Sequence, residues 1–306
     1  MTPENRSTVV AAIDIGGSTT KLSLVSDHGL MGEMRILPTP QDLNPQEFLQ
    51  ILIHELNQLE IEGFQLGGLG IAVPGFIGAD RRSVEVCVNV PTLVGYPWVH
   101  LLEEKLGAPV VLEVDANAAA LGEYRFGSSQ DCRRLLVVTL GTGVGSAMLI
   151  NGEPLRFTGG CGGDWGHVYV GGSDRCSAGC KGCLESVVSV RALGGSAQGT
   201  RELIRAAKAG DAKCIETLRR AGGMLGKAIA SMAAALEPEL VLLAGGISEA
   251  GDLIVEPANQ SFRDCASPLF LAPVRKGALG GAATLAGAAV SLLRSLDTAE
   301  VHLPGL

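Results

Sequence analysis

The chain has 306 residues, enough for two domains of ordinary size, each with its own core. Its residues are 46% apolar and 18% charged, which excludes a disordered chain, and a formal net charge of −8 argues against coating nucleic acid or an anionic membrane. No apolar run reaches bilayer-spanning length and the first eight residues carry no hydrophobic signal core, so the cytoplasm is the expected compartment, where the cysteines stay reduced.

Val9–Ile15 (VVAAIDI) reads as a buried strand entering the tight turn Gly16-Gly17. Ser18, Thr19, Thr20 and Lys21 follow before apolar residues resume at Leu22–Val25. This strand–turn–strand unit is either a plain hairpin or a phosphate cradle. In the second case backbone N–H groups and hydroxyls face the anion, Lys21 adds a charge, and Asp14 is placed to hold magnesium through water. Pro45–Leu59 has the apolar spacing of an amphipathic helix, and Leu69–Val73 is a strand ended by Pro74-Gly75. Val84–Val90 is predicted as a strand leading into the loop Pro91–Trp98, followed by a short helix at Leu101–Leu106 and a strand at Val110–Val114. Asp115 then opens a strong helix former, either as its N-cap or as a ligand group at the carboxyl end of a strand.

Leu135–Ile150 repeats the opening theme: strand, the turn GTGVGS, strand. The dinucleotide fingerprint needs G-x-G-x-x-G opening a helix, and no G-x-x-x-x-G-K-[ST] occurs, so neither a Rossmann site nor a P-loop fits. Two similar glycine turns half a chain apart suit a clamp on the phosphates of one nucleotide. The stretch Gly159–Glu185 carries Cys176, Cys180 and Cys183 with His167 nine residues before the first of them. The C-x3-C-x2-C spacing with an imidazole suits a closed tetrahedral zinc, a scaffold rather than a reactive centre; buried free thiols are the alternative. Asp164 and Glu185 lie in the same stretch. Val187–Leu236 is helical with breaks expected at Gly194-Gly195, Gly210 and Gly222-Gly223. Glu239–Ala244 is a strand ending in a third glycine turn, Gly245-Gly246, and Gly251–Phe262 and Ala278–Leu293 read as helices. Residues 1–120 are expected to form a small α/β domain and 121–290 a larger one with the cysteine loop, a helix over about 291–306 packing back on the first.

The set DIGGSTTK, VDANAAALGE, GTGVG, GDWGH, CSAGCKGCLE and LLAGGI resembles the ROK family (repressor, open reading frame, kinase), in the family's order and over nearly the whole chain. The resemblance implies an α/β, two-domain actin-like ATPase (ribonuclease-H-like) fold with a central ATP/sugar cleft. It implies that Gly16, Gly17 and Ser18 form one phosphate turn and Gly141, Thr142 and Gly143 the other, with Gly245 and Gly246 by the adenosine. Asp115 matches the catalytic base. Gly75, Thr92, Val114, Asp164, His167 and Glu185 match sugar-binding positions, and His167, Cys176, Cys180 and Cys183 are the implied ligands of a structural zinc.

Four positions depart from the family pattern: Val114 and Thr92 each replace an asparagine, Asp164 replaces a glutamate, and Ala178 stands at a zinc cysteine with Cys180 two residues later. The implied activity is ATP- and magnesium-dependent phosphorylation of the primary 6-hydroxyl of a hexose, glucose or a modified hexose, by a homodimer. The family's sugar-responsive regulators carry a DNA-binding module ahead of this region. The thirteen residues before Asp14 are too few for one, so no nucleic-acid partner is expected. A sensor without catalysis is the third reading, disfavoured by the intact Asp115 and phosphate turns.

Overall fold

An apolar strand covered on both faces loses nearly all its solvent contact, and seven of the eight residues of β1 (Thr8–Ile15) are buried. The computed structural model describes residues 7–40, 44–59, 63–157, 160 and 162–300, except for the side chains of 297–300. β1 runs antiparallel to β2 (Thr19–Ser26), which pairs with β3 (Gly29–Pro38). Helix α1 (Pro45–Leu56) begins at an Asn44–Glu47 capping box with Pro45 in its first turn. It leads to β4 (Gln65–Val73), parallel to β1. A small hairpin, β5 (Phe76–Ile77) and β6 (Val84–Val86), and helix α2 (Trp98–Leu106) precede β7 (Val110–Val114), which lies parallel to β4. Helix α3 (Asp115–Phe126) starts at the next residue.

The alternation of side chains along β1 sorts its neighbours into two layers. Val9, Ala11 and Ile13 pack with Phe48, Leu52, Trp98 and Leu102 of α1 and α2, where the Phe48 and Trp98 rings meet edge to face at 5.8 Å. Val10 and Ala12 pack with Ala118 of α3 and with Leu285, Ala289 and Leu292 near the C-terminus.

The second sheet starts with β8 (Arg134–Leu140), β9 (Val144–Ile150) and β10 (Glu153–Pro154), a second antiparallel meander. Helices α4 (Glu185–Val188), α5 (Val190–Gly194), α6 (Ala197–Lys208) and α7 (Ala212–Leu236) come next. β11 (Leu240–Ala244) then joins β8 in parallel, and after α8 (Asp252–Cys265) the short strand β12 (Val274–Lys276) joins β11 in parallel. Two helices, α9 (Ala283–Ala288) and α10 (Val290–Glu300), close the described chain. The sheet orders are β3-β2-β1-β4-β7 and β10-β9-β8-β11-β12. Counted from each sheet's own first strand, both run 3-2-1-4-5, three antiparallel strands and then two parallel additions. The duplicated α/β core that the family resemblance implies is present, each copy opening on one of the paired strand–turn–strand units.

The chain divides into two compact units. One takes in the described residues up to Phe126, Arg156, Phe157, Gly160 and those from Thr284 on; the other takes in Gly127–Leu155 and Gly162–Ala283. The boundary expected at residue 120 falls inside α3, which is one hydrogen-bonded element as far as Phe126 and stays with the first unit. The last six residues of the expected C-terminal helix lie outside the described residues. Gly222-Gly223 does not break α7, which runs unbroken for 25 residues. Gly222 lies on the face that meets α8, where a Cβ would stand 2.5 Å from the Ile254 carbonyl oxygen, so the missing side chain serves helix packing. The strand predicted to reach Val90 stops at Val86, and the helix predicted over Ala278–Leu293 is two helices, α9 and α10. No helix among the described residues is long and apolar enough to cross a membrane.

Candidate active site

In the first unit the turn between β1 and β2 holds Gly16, Gly17 and Ser18. Gly16 N–H donates to Thr19 O at 2.9 Å, and the Thr39 hydroxyl donates to Gly16 O at 2.7 Å. A Cβ on Gly17 would press on Asn89 Cβ at 3.3 Å, so the turn and the loop after β6 are in contact. Asp14, the penultimate residue of β1, is paired across the ladder with Lys21, whose Nζ lies 3.1 Å from Asp14 Oδ2. Burial pushes the Asp14 carboxyl up, and the Lys21 charge opposes that shift. Gly75 takes a left-handed φ of 103° between β4 and β5, where any Cβ would overlap the Val86 carbonyl oxygen. Thr92 sits half-buried in a 3₁₀ turn, Pro91–Leu93.

Val114, 5% exposed, ends β7, and Asp115 is the first residue of α3. The Asp115 Oδ1 accepts from Ala116 N–H at 2.7 Å. Asp115 directly follows β7, at the carboxyl end of a parallel strand, where open α/β sheets gather ligand groups.

In the second unit Gly141, Thr142 and Gly143 connect β8 to β9; Gly141 N–H donates to Gly143 O, and Gly141 O accepts from Val190 N–H at the start of α5. Glu185, 8% exposed at the start of α4, accepts from Val144 N–H at 3.1 Å through Oε2 and from the Ser177 hydroxyl at 2.6 Å through Oε1. Gly143 makes the first of these bonds possible, since a Cβ there would lie 2.5 Å from Glu185 Oε2. The glycine turn and the cysteine loop therefore share one carboxylate. Sequence reasoning missed Ser177, which carries no motif signal of its own. Gly245 and Gly246 follow β11, where Gly245 O accepts from the Ser248 hydroxyl at 2.7 Å.

Asp164 precedes the 3₁₀ turn Trp165–His167, and its Oδ2 lies 3.4 Å from His167 Nε2. Partial desolvation pushes the Asp164 carboxyl up; His167 pulls it down, and Glu185 adds to the rise. On its other edge His167 Nδ1 lies 3.7 Å from Cys176 Sγ. The ligand atoms of His167, Cys176 and Cys183 all fall within 4.8 Å of one another. Donors sharing a tetrahedral zinc stand about 3.5 Å apart, given metal–ligand distances near 2.0–2.3 Å, so these three fit the ion. Cys180, expected as the fourth ligand, is exposed and is not among them. Cys176 N–H donates to Cys180 O across a reversing turn, and the Cys180 thiol interacts with that of Cys176. The described cysteines are all free.

The ROK family model matches residues 10–294. The glucokinase of Halalkalibacterium halodurans is 32% identical over 283 residues, which cover 84% of this chain and 86% of that one. The N-acetylmannosamine kinase of Citrobacter koseri is 29% identical over 246 residues, 77% of this chain and 82% of that one. Among solved structures, a ROK family glucokinase from Streptomyces griseus in complex with glucose and AMPPNP aligns with a TM-score of 0.82 at 28% identity, covering 94% of this chain and 99% of that one. A match over nearly the whole length, together with the duplicated 3-2-1-4-5 sheets, leads to one conclusion: the chain belongs to the ROK family and has its actin-like ATPase fold.

Proposed function

We propose that this protein is an ATP-dependent sugar kinase acting on the primary 6-hydroxyl of a hexose, glucose or a modified hexose. The observation that carries the reading is the Asp115 carboxylate at the β7–α3 junction of a chain that also keeps the glycine turns after β1, β8 and β11. Phosphoryl transfer asks the protein mainly for positioning and charge neutralisation. Asp115 orients the sugar hydroxyl and takes its proton as the oxygen bonds to the γ-phosphorus, while the bond to the β–γ bridging oxygen breaks and ADP leaves. Gly16 and Gly141 close the two turns through their own N–H groups, those of Gly17–Ser18 and Thr142–Gly143 are proposed to hold the phosphates, Lys21 adds positive charge, and Gly245 and Gly246 are placed by the adenosine. Magnesium bound with the nucleotide would spread its phosphate charge, and Asp14, at the strand end with Lys21 as its ion-pair partner, would hold it through water.

Asp164, His167 and Glu185 are proposed to bind the sugar. The three-donor cluster supports a structural zinc on His167, Cys176 and Cys183 with Cys180 as fourth donor, which would hold the loop that carries Ser177 and leads into Glu185. Protein purified without added metal is expected to carry about one zinc per chain, as closed structural sites do; elemental analysis showing less than about half an equivalent contradicts the site.

The sugar itself is read from two losses. Val114 offers no side-chain hydrogen bond and Thr92 is shorter than asparagine, and by family resemblance both face the 3- and 4-hydroxyls. A buried hydroxyl without a partner costs about 1–3 kcal/mol, or about 5- to 150-fold in affinity. Coupled ADP release should be followed across hexoses, amino sugars, cyclitols and the 2-, 3- and 4-deoxyglucoses. A hexose is expected to stimulate turnover, with the 3- and 4-deoxy sugars close to glucose in kcat/KM. A steep fall for those two overturns the specificity argument, and no stimulation by any hexose overturns the kinase reading.

A further inference from the structure

Glu113 and Asn117 flank Asp115, two positions to either side, and are 1% and 0% exposed. A carboxylate in an apolar strand is costly to bury unless it is fully bonded. Glu113 receives five hydrogen bonds. Oε1 accepts from Val114 N–H at 2.9 Å, Asn117 Nδ2 at 3.0 Å and Arg156 Nη1 at 2.8 Å; Oε2 accepts from Arg156 Nη2 at 2.6 Å and Arg81 Nη2 at 2.9 Å. Arg156 engages both oxygens in a fork that a lysine ammonium cannot reproduce. The Arg156 Nη1 and Asn117 Nδ2 also converge on the Gly160 carbonyl oxygen, each at 3.0 Å. The backbone at Gly160 is thus clasped onto the strand–helix junction whose central residue is Asp115.

Arg81 reaches the same carboxylate with different anchors. Its Nε donates to Leu112 O, and its Nη2 also donates to Ser291 at the start of α10, so it ties β7 to the C-terminal helix. Arg156 closes on both the carboxylate and the Gly160 carbonyl that Asn117 shares.

We infer that Arg156 is a positioning residue for Asp115, holding the β7–α3 junction through Glu113 and Asn117 so that the base keeps its place against the sugar hydroxyl. The role of Asp115 as base is the reading proposed above. Arg156 belongs to no motif and lies 43 positions from its partner in the chain.

The full-length protein should be compared with its Arg156→Lys and Arg156→Ala variants. A displacement of about 1 Å at a reacting group can cost about 100-fold in rate, so kcat on the best hexose is expected to fall about 10- to 100-fold while KM for ATP stays within about twofold. Amide exchange should quicken at Val114, Ala116 and Asn117 and stay unchanged at Leu136–Val138 of β8. Guanidinium ion added to Arg156→Ala should restore part of the lost kcat. Unchanged kcat and unchanged junction exchange would overturn the inference. So would a general loss of thermal stability with faster exchange throughout the unit and no guanidinium rescue, since that is what a purely structural arginine gives. A parent protein without hexose kinase activity would overturn the kinase reading alone, and junction exchange would still decide whether Arg156 holds Asp115.

Discussion

Replacing Asp115 by asparagine is expected to lower kcat on the best hexose by about 10²- to 10⁴-fold, the usual cost of removing a general base. The change keeps the size of the side chain and an oxygen that can still accept from Ala116 N–H, so α3 should start where it does now. What it removes is the ability to take up the hydroxyl proton. Sugar affinity, measured by calorimetry or by quenching of tryptophan fluorescence, should stay within a few-fold of the parent. A variant that kept most of its kcat would reduce Asp115 to a structural residue at a helix start.

The largest expected effect on stability comes from Gly287→Ala. In α9 this glycine lies directly on α3, and a Cβ there would overlap the Ala118 carbonyl oxygen and stand 2.7 Å from Gly122 N. Both obstacles are backbone, so no side chain can swing aside and the two helices must move apart. Overpacking in a dense core costs about 1–3 kcal/mol and sometimes more; with backbone on both sides the upper end of that range is expected. Ala118 lies one turn beyond Asp115 on α3, so the displaced helix should also lower kcat. Denaturant unfolding followed by circular dichroism reads the first effect, and an unchanged midpoint would show that the helix pair yields without loss.

Much of this architecture is legible in the sequence where the local signal and the tertiary setting agree. The apolar runs of β1, β4, β7, β8 and β11 are buried parallel-sheet strands bounded by glycine or proline, and they sit where periodicity placed them. Edge strands are less visible. β3 exposes or half-exposes nine of its ten residues and β12 has only three, so neither carries a strong apolar run. Gly222 misleads for a different reason, because a glycine in a helix reads as a break until the neighbouring helix is known. The glycine turns, Asp115 and the His167–Cys176–Cys183 group stand out as motifs. Cys180 stands in the same C-x3-C-x2-C motif, but its exposure is not legible there, since ligand spacing says nothing about which way a loop reverses. Glu113 gave half a signal, a charge inside VVLEV that demands a partner; its arginines, 32 residues before and 43 after, follow from the tertiary fold. Ser177 and Arg156 are invisible for the same reason: each acts by touching a carboxylate that the chain brings to it.

The most direct measurement of the central proposal is the position of the transferred phosphoryl group. The protein would be incubated with ATP, magnesium and its best hexose, and the product examined by phosphorus–proton correlation. The expected result is ADP and a sugar phosphate in equal amounts, the phosphorus coupled to the two methylene protons of the primary alcohol carbon. Coupling to a single ring proton, or release of inorganic phosphate with the sugar unchanged, would contradict it.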